Sequence, residues 1–238
     1  MSKRIDTEKI RQYFENKEFI SFQDIENYYR TGESEIPYTT INWRIYKLVQ
    51  LGILQRVGKG LYQLGKATIF VPPINNKMQK IETLLNKRFP FVKYCQWDLS
   101  RINAFAHHLI NFNVSFVDVE KDAVHSAYYI LKEKFPKVMA VQNLYDGFSE
   151  FNNYIIVRPL ITEAPIQTTE KIHTATLEKI LVDLAVDKEF ISFQGSEIYA
   201  IFESAMGQYT VNQNTLLRYA ARKNKKEEIK KIITINRQ

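Results

Sequence analysis

The sequence has 238 residues, of which 45% are hydrophobic and 25% charged, proportions typical of a soluble protein with one large domain or two ordinary ones. No apolar run is long enough to span a membrane, the first residues lack the apolar stretch of a signal peptide, and a single cysteine, Cys95, excludes an internal disulfide. These features argue against a membrane-spanning or disulfide-rich protein, and we expect a cytoplasmic one without membrane contact.

The net charge of +7 is unevenly distributed along the chain. Residues 1–70 contain 11 Lys and Arg against 8 Asp and Glu, and residues 218–238 contain 8 against 2, whereas residues 71–217 contain 14 against 16. A polyanionic partner is therefore expected to meet the two ends of the chain. For residues 218–238 alone, a solvated basic tail is the alternative interpretation.

Two short helices are predicted at the start of the chain. Apolar side chains recur at helical spacing within residues 7–16, which gives one apolar face. Ser21 and Asp24 have the spacing of a capping box, which predicts the start of a second helix that ends at Gly32. Pro37 then fixes an extended entry into the next element.

A third helix is predicted from residue 39 or 40 to residue 51. Ile41, Ile45 and Leu48 fall within one narrow sector at about 100° per residue, so they should face a core. Gly52 follows as a natural C-terminal stop.

A short hairpin is predicted directly after the third helix. Residues 53–57 and 61–64 have strand-like composition, and the turn Gly58-Lys59-Gly60 joins them. Three short helices followed by a small hairpin is the order of a winged helix-turn-helix, which we expect to form a domain of residues 1–70.

The best domain boundary is the stretch of two prolines and two asparagines at residues 71–76. Beyond it we expect a mixed α and β domain, residues 77–238, that ends in helices, so that the whole chain belongs to the α+β class. Its predicted strands are residues 92–97, 114–119, 138–142 and 154–160, and its predicted helices are residues 77–88, 123–134, 176–186, 196–206, 213–224 and 226–233.

Seven residues of the sequence occur twice. Residues 17–23 recur unchanged as residues 188–194, and each copy precedes two predicted helices. Either two helix starts share the same cap chemistry, or a helix-turn-helix is duplicated.

The third helix has the composition of a DNA-recognition helix. With its apolar face buried, the helical wheel turns polar and aromatic side chains outward or to the flank. These are Thr39, Thr40, Asn42, Trp43, Tyr46, Lys47 and Gln50. Asn and Gln can read adenine, Thr can contact phosphate or the thymine methyl group, and Lys neutralises phosphate. Arg44 lies nearer the buried side, so we do not expect it to contact bases.

The hairpin turn adds two cations, Arg56 and Lys59, at the position of a wing tip, where phosphates of duplex DNA are met. A protein-docking role for such a module is the alternative, since an outward Trp43 could equally pack on the first helix or on a partner subunit.

The sequence also resembles a known family. Residues 39–48 and 52–64 resemble the N-terminal winged helix of AbiEi-type antitoxins. The second half of the chain agrees at several short segments, namely Trp97-Asp-Leu-Ser, Asn103-Ala-Phe with His107, Val117-Asp-Val-Glu and Leu217-Arg-Tyr-Ala. Residues 176–184 also resemble a helix of that family that contains a Lys and an Asp, and the basic end of the chain fits the same pattern.

The resemblance implies an autoregulator of a toxin–antitoxin operon. In that family the N-terminal domain represses its own promoter at inverted repeats, and the C-terminal domain counters a nucleotidyltransferase toxin encoded beside it, not necessarily in a stable complex. This sequence differs in its aromatic-rich residues 148–154, so residue roles do not transfer to the C-terminal domain. A winged-helix transcription factor whose C-terminal domain senses a small molecule is the alternative function.

The basic end supplies a second set of candidate contacts to phosphate or to a partner. These residues are Arg218, Arg222, Lys223, Lys225 and Lys226.

Catalysis and a cofactor are not expected. Asp118 and Glu120 have the spacing of two acids on one face of a strand, as in metal-dependent nucleases, but no lysine follows at the required position. His107, His108 and the other histidines lack metal-ligand spacing.

Overall fold

A computed structural model of the chain describes residues 5–66, 68–106, 112–141 and 151–235. The chain folds as an α+β protein in two compact units. The first unit comprises residues 1–70 together with 205–216, and the second comprises residues 71–204 together with 217–238. The division after Phe70 lies beside the proline-rich stretch, but the region predicted as one continuous C-terminal domain is interrupted at residues 205–216.

The first unit begins with three helices and a small antiparallel sheet. Its helices are α1 (Thr7–Phe14), α2 (Phe22–Gly32) and α3 (Tyr38–Gln50), and its strands are β1 (Ile20–Ser21), β2 (Leu54–Gly58) and β3 (Leu61–Leu64). The strands are arranged in the order β1-β3-β2. One apolar core joins the inner faces of all three helices to Leu54 and Tyr62 of the sheet.

The predicted capping box is present at the start of α2. The Ser21 hydroxyl accepts a hydrogen bond from the Asp24 backbone N–H at 3.1 Å, and the Asp24 carboxylate accepts one from the Ser21 backbone N–H at 2.8 Å. Each side chain thus satisfies a backbone donor that the first turn of a helix leaves without a partner.

Helix α3 buries the three residues that the sequence places inward, Ile41, Ile45 and Leu48. The hairpin that follows packs close against the end of α3. Gly65 approaches the Gly52 carbonyl so closely that a Cβ atom at residue 65 would lie 2.3 Å from this oxygen. Glycine at residue 65 is therefore a requirement of packing.

Residues 205–216 complete the first unit. The Gln55 amide donates a hydrogen bond to the Val211 carbonyl, and the Thr210 hydroxyl donates one to the Gly52 carbonyl at 3.3 Å. The Thr210 backbone N–H donates to the Thr68 carbonyl at 2.8 Å. This distant segment thus satisfies polar groups of the hairpin region that the first 70 residues leave without partners.

The second unit is built around a six-stranded sheet with the order β6-β7-β5-β4-β9-β8. Its strands are β4 (Tyr94–Asp98), β5 (Ser115–Glu120), β6 (Val138–Ala140), β7 (Ile155–Leu160), β8 (Ile166–Thr169) and β9 (Ile172–Ala175). Its helices are α4 (Asn76–Arg88), α5 (Val124–Lys134), α6 (Leu177–Val186), the first part of α7 (Ser196–Gln208), the last part of α8 (Gln213–Arg222) and α9 (Lys226–Ile235).

The central strands of this sheet are buried over most of their length, so both faces of β7 carry apolar side chains at residues 155–157. Strand β5 pairs antiparallel with β4 and parallel with β7, and one face of these strands packs on α4 and α5. The hairpin β8–β9 was not predicted, since residues 166–175 are mostly polar and partly exposed.

The two copies of the seven-residue repeat adopt different structures. The first copy provides β1 and the cap of α2, whereas the second forms a 3-10 helix at Lys188–Phe193. The identical residues therefore do not form the same local structure in the two copies. Among the residues that the structure describes, no helix combines the length and apolar composition needed to cross a membrane.

Two glycine substitutions should have opposite effects on stability. Gly65→Ala should lower the free energy of unfolding by about 1–3 kcal/mol, because the new methyl group must displace backbone. Gly207→Ala should raise it by roughly 0.5–1 kcal/mol, because residue 207 is helical and a Cβ atom there meets nothing within 4 Å. Urea denaturation of both variants measures the difference, and a loss of stability at both positions would contradict the packing argument.

Candidate functional site

The outer face of α3 exposes the residues that the sequence predicts for DNA contact. Six of them are exposed, namely Thr39, Asn42, Trp43, Tyr46, Lys47 and Gln50, and Thr40 is half-buried. The Asn42 amide donates to the Tyr38 carbonyl at 3.1 Å, and the Lys47 ammonium lies 5.8 Å from the centre of the Trp43 ring. The face therefore combines amide, hydroxyl, aromatic and cationic groups.

This helix presents no negative charge. Its sequence contains no Asp or Glu, and Pro37 at its N-cap makes no side-chain hydrogen bond to the first turn. The nearby Arg44 points inward, where it pairs with Glu33 at 3.0 Å. The lack of a side-chain cap and the positive end of the helix dipole both favour an anion at this end of α3.

The β2–β3 hairpin carries the two predicted cations. Arg56 is exposed, and its guanidinium donates to the Tyr62 hydroxyl at 3.2 Å. Lys59 is exposed in the turn, next to Gly60, which has a φ of +66°. Both cations are on the surface of the same unit as α3.

The basic residues at the end of the chain have varied surroundings. Arg222 and Arg218 lie 3.1 and 3.7 Å from Glu163, and Lys225 lies 2.7 Å from Glu228. Lys226 is exposed. The prediction for Lys223 needs correction: its side chain is only 9% exposed and pairs with Asp183 and Asp187, so it is not available to a phosphate or a partner.

Lys223 belongs to a buried charge cluster in the second unit. The cluster consists of Asp118 on β5, Arg158 on β7, Lys179 and Asp183 on α6, Asp187 and Glu189 after α6, Tyr219 on α8, and Lys223 directly after α8.

Arg158 connects the acids of this cluster. Its guanidinium contacts Asp118 at 2.6 Å and Asp183 at 3.0 Å, and its remaining nitrogen contacts Glu189 at 2.9 Å and Asp187 at 3.3 Å. The Arg158 side chain is 4% exposed, so these contacts form in an environment of low dielectric constant.

The two lysines neutralise the same carboxylates from the helical side. Lys179 pairs with Asp118 and, at 2.6 Å, with Asp183 one turn further along α6. Lys223 pairs with Asp183 at 2.6 Å and with Asp187. The cluster thus ties two strands to two helices through ion pairs.

Burial and ion pairing act on these groups in opposite directions. Burial raises the pKa of Asp118, but Arg158 and then Lys179 outweigh it, so the pKa lies below its ordinary value. Burial likewise raises the pKa of Asp183, which Lys179 and Lys223 bring far below its usual range. These two acids are therefore ionised at neutral pH.

Asp187 behaves differently from the other acids. Burial and the adjacent charge of Asp183 raise its pKa to about 6, although Lys223 and Arg158 favour the charged form. Of Asp118, Asp183 and Asp187, Asp187 is therefore the acid that changes charge nearest to neutral pH.

The nuclease alternative finds no support in the geometry of Asp118. Arg158 occupies both of its carboxylate oxygens, and Lys179 also contacts one of them. A metal ion could bind only by displacing these cations. Glu120, the second acid of the proposed pair, is half-buried at the end of β5. The described residues contain no group of three or more His, Cys, Asp or Glu side chains that could hold a metal ion.

The remaining histidines and the cysteine have structural surroundings. His107 and His108 lie outside the described residues. The His173 ring nitrogen lies 2.7 Å from the buried carboxylate of Glu82, and the exposed His125 packs edge-on against Tyr129. Cys95 is buried, and its burial raises the pKa of the thiol well above its usual value.

Sequence reasoning missed Arg158, which holds the cluster together. A signal was present, because Arg158 is a charged residue within the otherwise apolar strand sequence Ile-Ile-Val-Arg-Pro-Leu. A buried cation of this kind requires acidic partners, but the sequence does not say which acids these are.

Removing one cation should show that the cluster is structural. Lys179→Met leaves Asp118 and Asp183 short of a counter-charge in the interior, so the free energy of unfolding should fall by about 3–5 kcal/mol. Lys225→Met is the matched control, because it removes an exposed pair and should cost less than about 1 kcal/mol. Equal losses in urea denaturation would refute a special role for the cluster.

Asp187 should make stability depend on pH. The pKa of Asp187 is about 6 in the folded chain, whereas its ordinary value is 3.8. Between these two values folded Asp187 keeps a proton that the unfolded chain has lost, so this group lowers the free energy of unfolding as pH rises through that window. Asp187→Asn cannot ionise, so its stability relative to the wild type should rise between about pH 4 and pH 6.5 and stay constant at higher pH. Urea denaturation at both pH values tests this, with Asp122→Asn at an exposed position as control. Parallel pH profiles of wild type and Asp187→Asn would refute the assignment.

Comparison with known proteins places most of the chain in one family. A family model described as a family of unknown function matches residues 40–238, which is more than half of the chain. A search of curated proteins found no significant match.

Proposed function

This chain belongs to the DUF6577 family, and we propose that it is a transcription regulator that binds duplex DNA through its first unit. In this proposal, α1–α3 with the β2–β3 hairpin form a winged helix-turn-helix, α3 is the recognition helix and the hairpin is the wing. The observation that carries the proposal is the outer face of α3, which exposes base-reading and cationic side chains without a single acid.

Three features of the first unit support this assignment. The exposed side chains of Asn42 and Gln50 have the donor and acceptor pattern that matches adenine in the major groove. The uncapped start of α3 offers backbone N–H groups to a phosphate. Arg56 and Lys59 extend from the hairpin, where a wing meets the backbone or the minor groove.

The resemblance to AbiEi-type antitoxins extends the proposal to an autorepressor that binds inverted repeats in its own promoter. It also suggests that the second unit counters a nucleotidyltransferase toxin. The Lys and Asp of the family-like helix are Lys179 and Asp183, which support such a role by holding the unit together rather than by contacting a partner. The test is growth of cells that express a neighbouring nucleotidyltransferase with or without the full chain. Toxicity that the chain does not relieve would exclude the antitoxin role.

The salt dependence of binding tests the wing. In the full chain, replacing Arg56 and Lys59 by Ala should weaken binding to every duplex and reduce the slope of log K against log salt by about two, since each phosphate contact contributes about 0.9. Lys80 and Lys121, both exposed in the second unit, replaced by Ala form a control with the same change in charge. If both double variants reduce the slope equally, the hairpin has no special role.

Sequence selectivity tests the recognition helix. A preferred duplex is first selected from a random pool with the full chain, and affinity is then measured on that duplex and on unselected DNA. Asn42→Ala should cost about 1–3 kcal/mol on the selected duplex and little on the other, because a base contact is lost only where the matching base is present. Equal losses on both would show that Asn42 does not read sequence.

A further inference from the structure

The outer face of α3 carries two large aromatic side chains that the packing of the chain leaves at the surface. Trp43 is 47% exposed and Tyr46 is 57% exposed. They are three residues apart on the helix, so they are neighbours on the same side of it. Apolar surface that is exposed in one place and bordered by polar groups is a feature of binding sites.

The amide side chains of the same face narrow the kind of contact. Asn42 and Gln50 are exposed, and each carries the donor and the acceptor that pair with N6 and N7 of adenine. The Asn42 amide nitrogen donates one N–H to the Tyr38 carbonyl at 3.1 Å, and an amide has a second N–H and a carbonyl oxygen besides. The bond to Tyr38 therefore orients the Asn42 amide and is compatible with a contact to adenine.

The side chain that most often reads guanine is turned away from this face. Arginine is the commonest partner of guanine O6 and N7. The one arginine in the sequence of α3 is Arg44, which is buried and pairs with Glu33 at 3.0 Å. The exposed cation of α3 is Lys47, whose ammonium lies 5.8 Å from the centre of the Trp43 ring. The outer face of α3 thus offers amides to adenine but no arginine to guanine.

Thymine, the partner of adenine, presents the group that an aromatic side chain can cover. Its C5 methyl group is exposed in the major groove, where apolar side chains contact it. Along the helix axis, the face from Thr39 to Gln50 rises about 16 Å, which corresponds to about five base pairs. Amides that bind adenine and rings that cover thymine can therefore act on A·T pairs of one short site.

We infer that the outer face of α3 selects A·T pairs of duplex DNA, with Trp43 and Tyr46 contacting thymine methyl groups in the major groove. Asn42 and Gln50 bind adenine in the same site, and Lys47 contacts a phosphate. The inference rests on the proposed function, because it names the class of sequence that the same helix reads. It makes Trp43 and Tyr46 specificity-determining residues.

Replacing thymine by deoxyuridine tests the methyl contacts directly, because it removes the methyl groups and leaves base pairing intact. The full chain first selects a duplex from a random pool, and the selected site should be rich in A·T pairs. The chain should then bind a copy with deoxyuridine at every thymine of the site about three- to fivefold more weakly for each methyl group covered, the value of one buried methyl group. A site of mainly G·C pairs, or equal affinity for both duplexes, would overturn the inference.

Trp43→Ala and Tyr46→Ala identify the residues that cover the methyl groups. Each should bind the thymine duplex more weakly than the wild type does and should lose less affinity on deoxyuridine substitution, because the methyl group no longer has its partner. Phe91→Ala is the matched control, since it removes an aromatic side chain of the second unit that is 95% exposed, and it should show the full wild-type loss. A variant that keeps the wild-type ratio between the two duplexes refutes the contact assigned to its residue.

Lys47→Met separates a phosphate contact from a base contact. As a phosphate contact, Lys47 should contribute equally to the thymine duplex, the deoxyuridine duplex and unselected DNA, so its removal should weaken all three by one factor. A loss confined to the selected site would show that Lys47 reads a base and would contradict its assigned role.

Two further measurements separate DNA recognition from a structural role of the rings. Because both rings are exposed, Trp43→Ala and Tyr46→Ala should keep the melting temperature and the molecular mass in light scattering of the wild type. A lower mass for Trp43→Ala with equal losses on both duplexes would assign this face to a contact between two copies of the chain and overturn the inference. Absence of binding to any duplex would overturn the proposed function and the inference with it, whereas binding that ignores the methyl groups would overturn the inference alone.

Discussion

The second unit depends on how a set of buried charges is neutralised. Arg158 reaches four carboxylates from the middle of the sheet, and Lys179 and Lys223 complete the pairing from the helices. An unpaired charge at this depth costs several kcal/mol, so none of these elements can move away without exposing or isolating an ion. The cluster therefore fixes where α6 and α8 pack on β5 and β7.

This arrangement describes the surroundings of Asp118, one of the two acids that have the spacing of a nuclease pair in the sequence. Asp118 lies on a central strand, as a metal-binding acid of a nuclease would, but both of its oxygens accept hydrogen bonds from cations. Ion pairs with Arg158 and Lys179 bring the pKa of Asp118 below its ordinary value, so this carboxylate is ionised and paired with two cations. The low pKa values of Asp118 and Asp183 follow from the ion pairs that link the strands and helices of this unit.

In the first unit, by contrast, most of the cations of α3 and the hairpin are exposed and only one is buried. Its inward arginine, Arg44, is paired with Glu33, whereas Lys47, Arg56 and Lys59 remain at the surface. The inner and outer sides of α3 thus have separate roles, packing on one and recognition on the other in the function proposed above.

The sequence by itself determined the local elements of this protein, because helical periodicity, caps and glycine turns act over a few residues. The burial of Ile41, Ile45 and Leu48, the capping box of Ser21 and the β2–β3 hairpin follow from such short-range patterns. Only the tertiary structure decided which charges meet, because the contact of Arg158 with Asp118 joins residues 40 apart and the pairing of Lys223 with Asp183 also spans 40. The return of residues 205–216 to the first unit is equally nonlocal, since the partners of Gln55 and Gly52 are more than 150 residues away. Identical residues 17–23 and 188–194 fold differently for the same reason: their surroundings, which differ, outweigh their shared local preference.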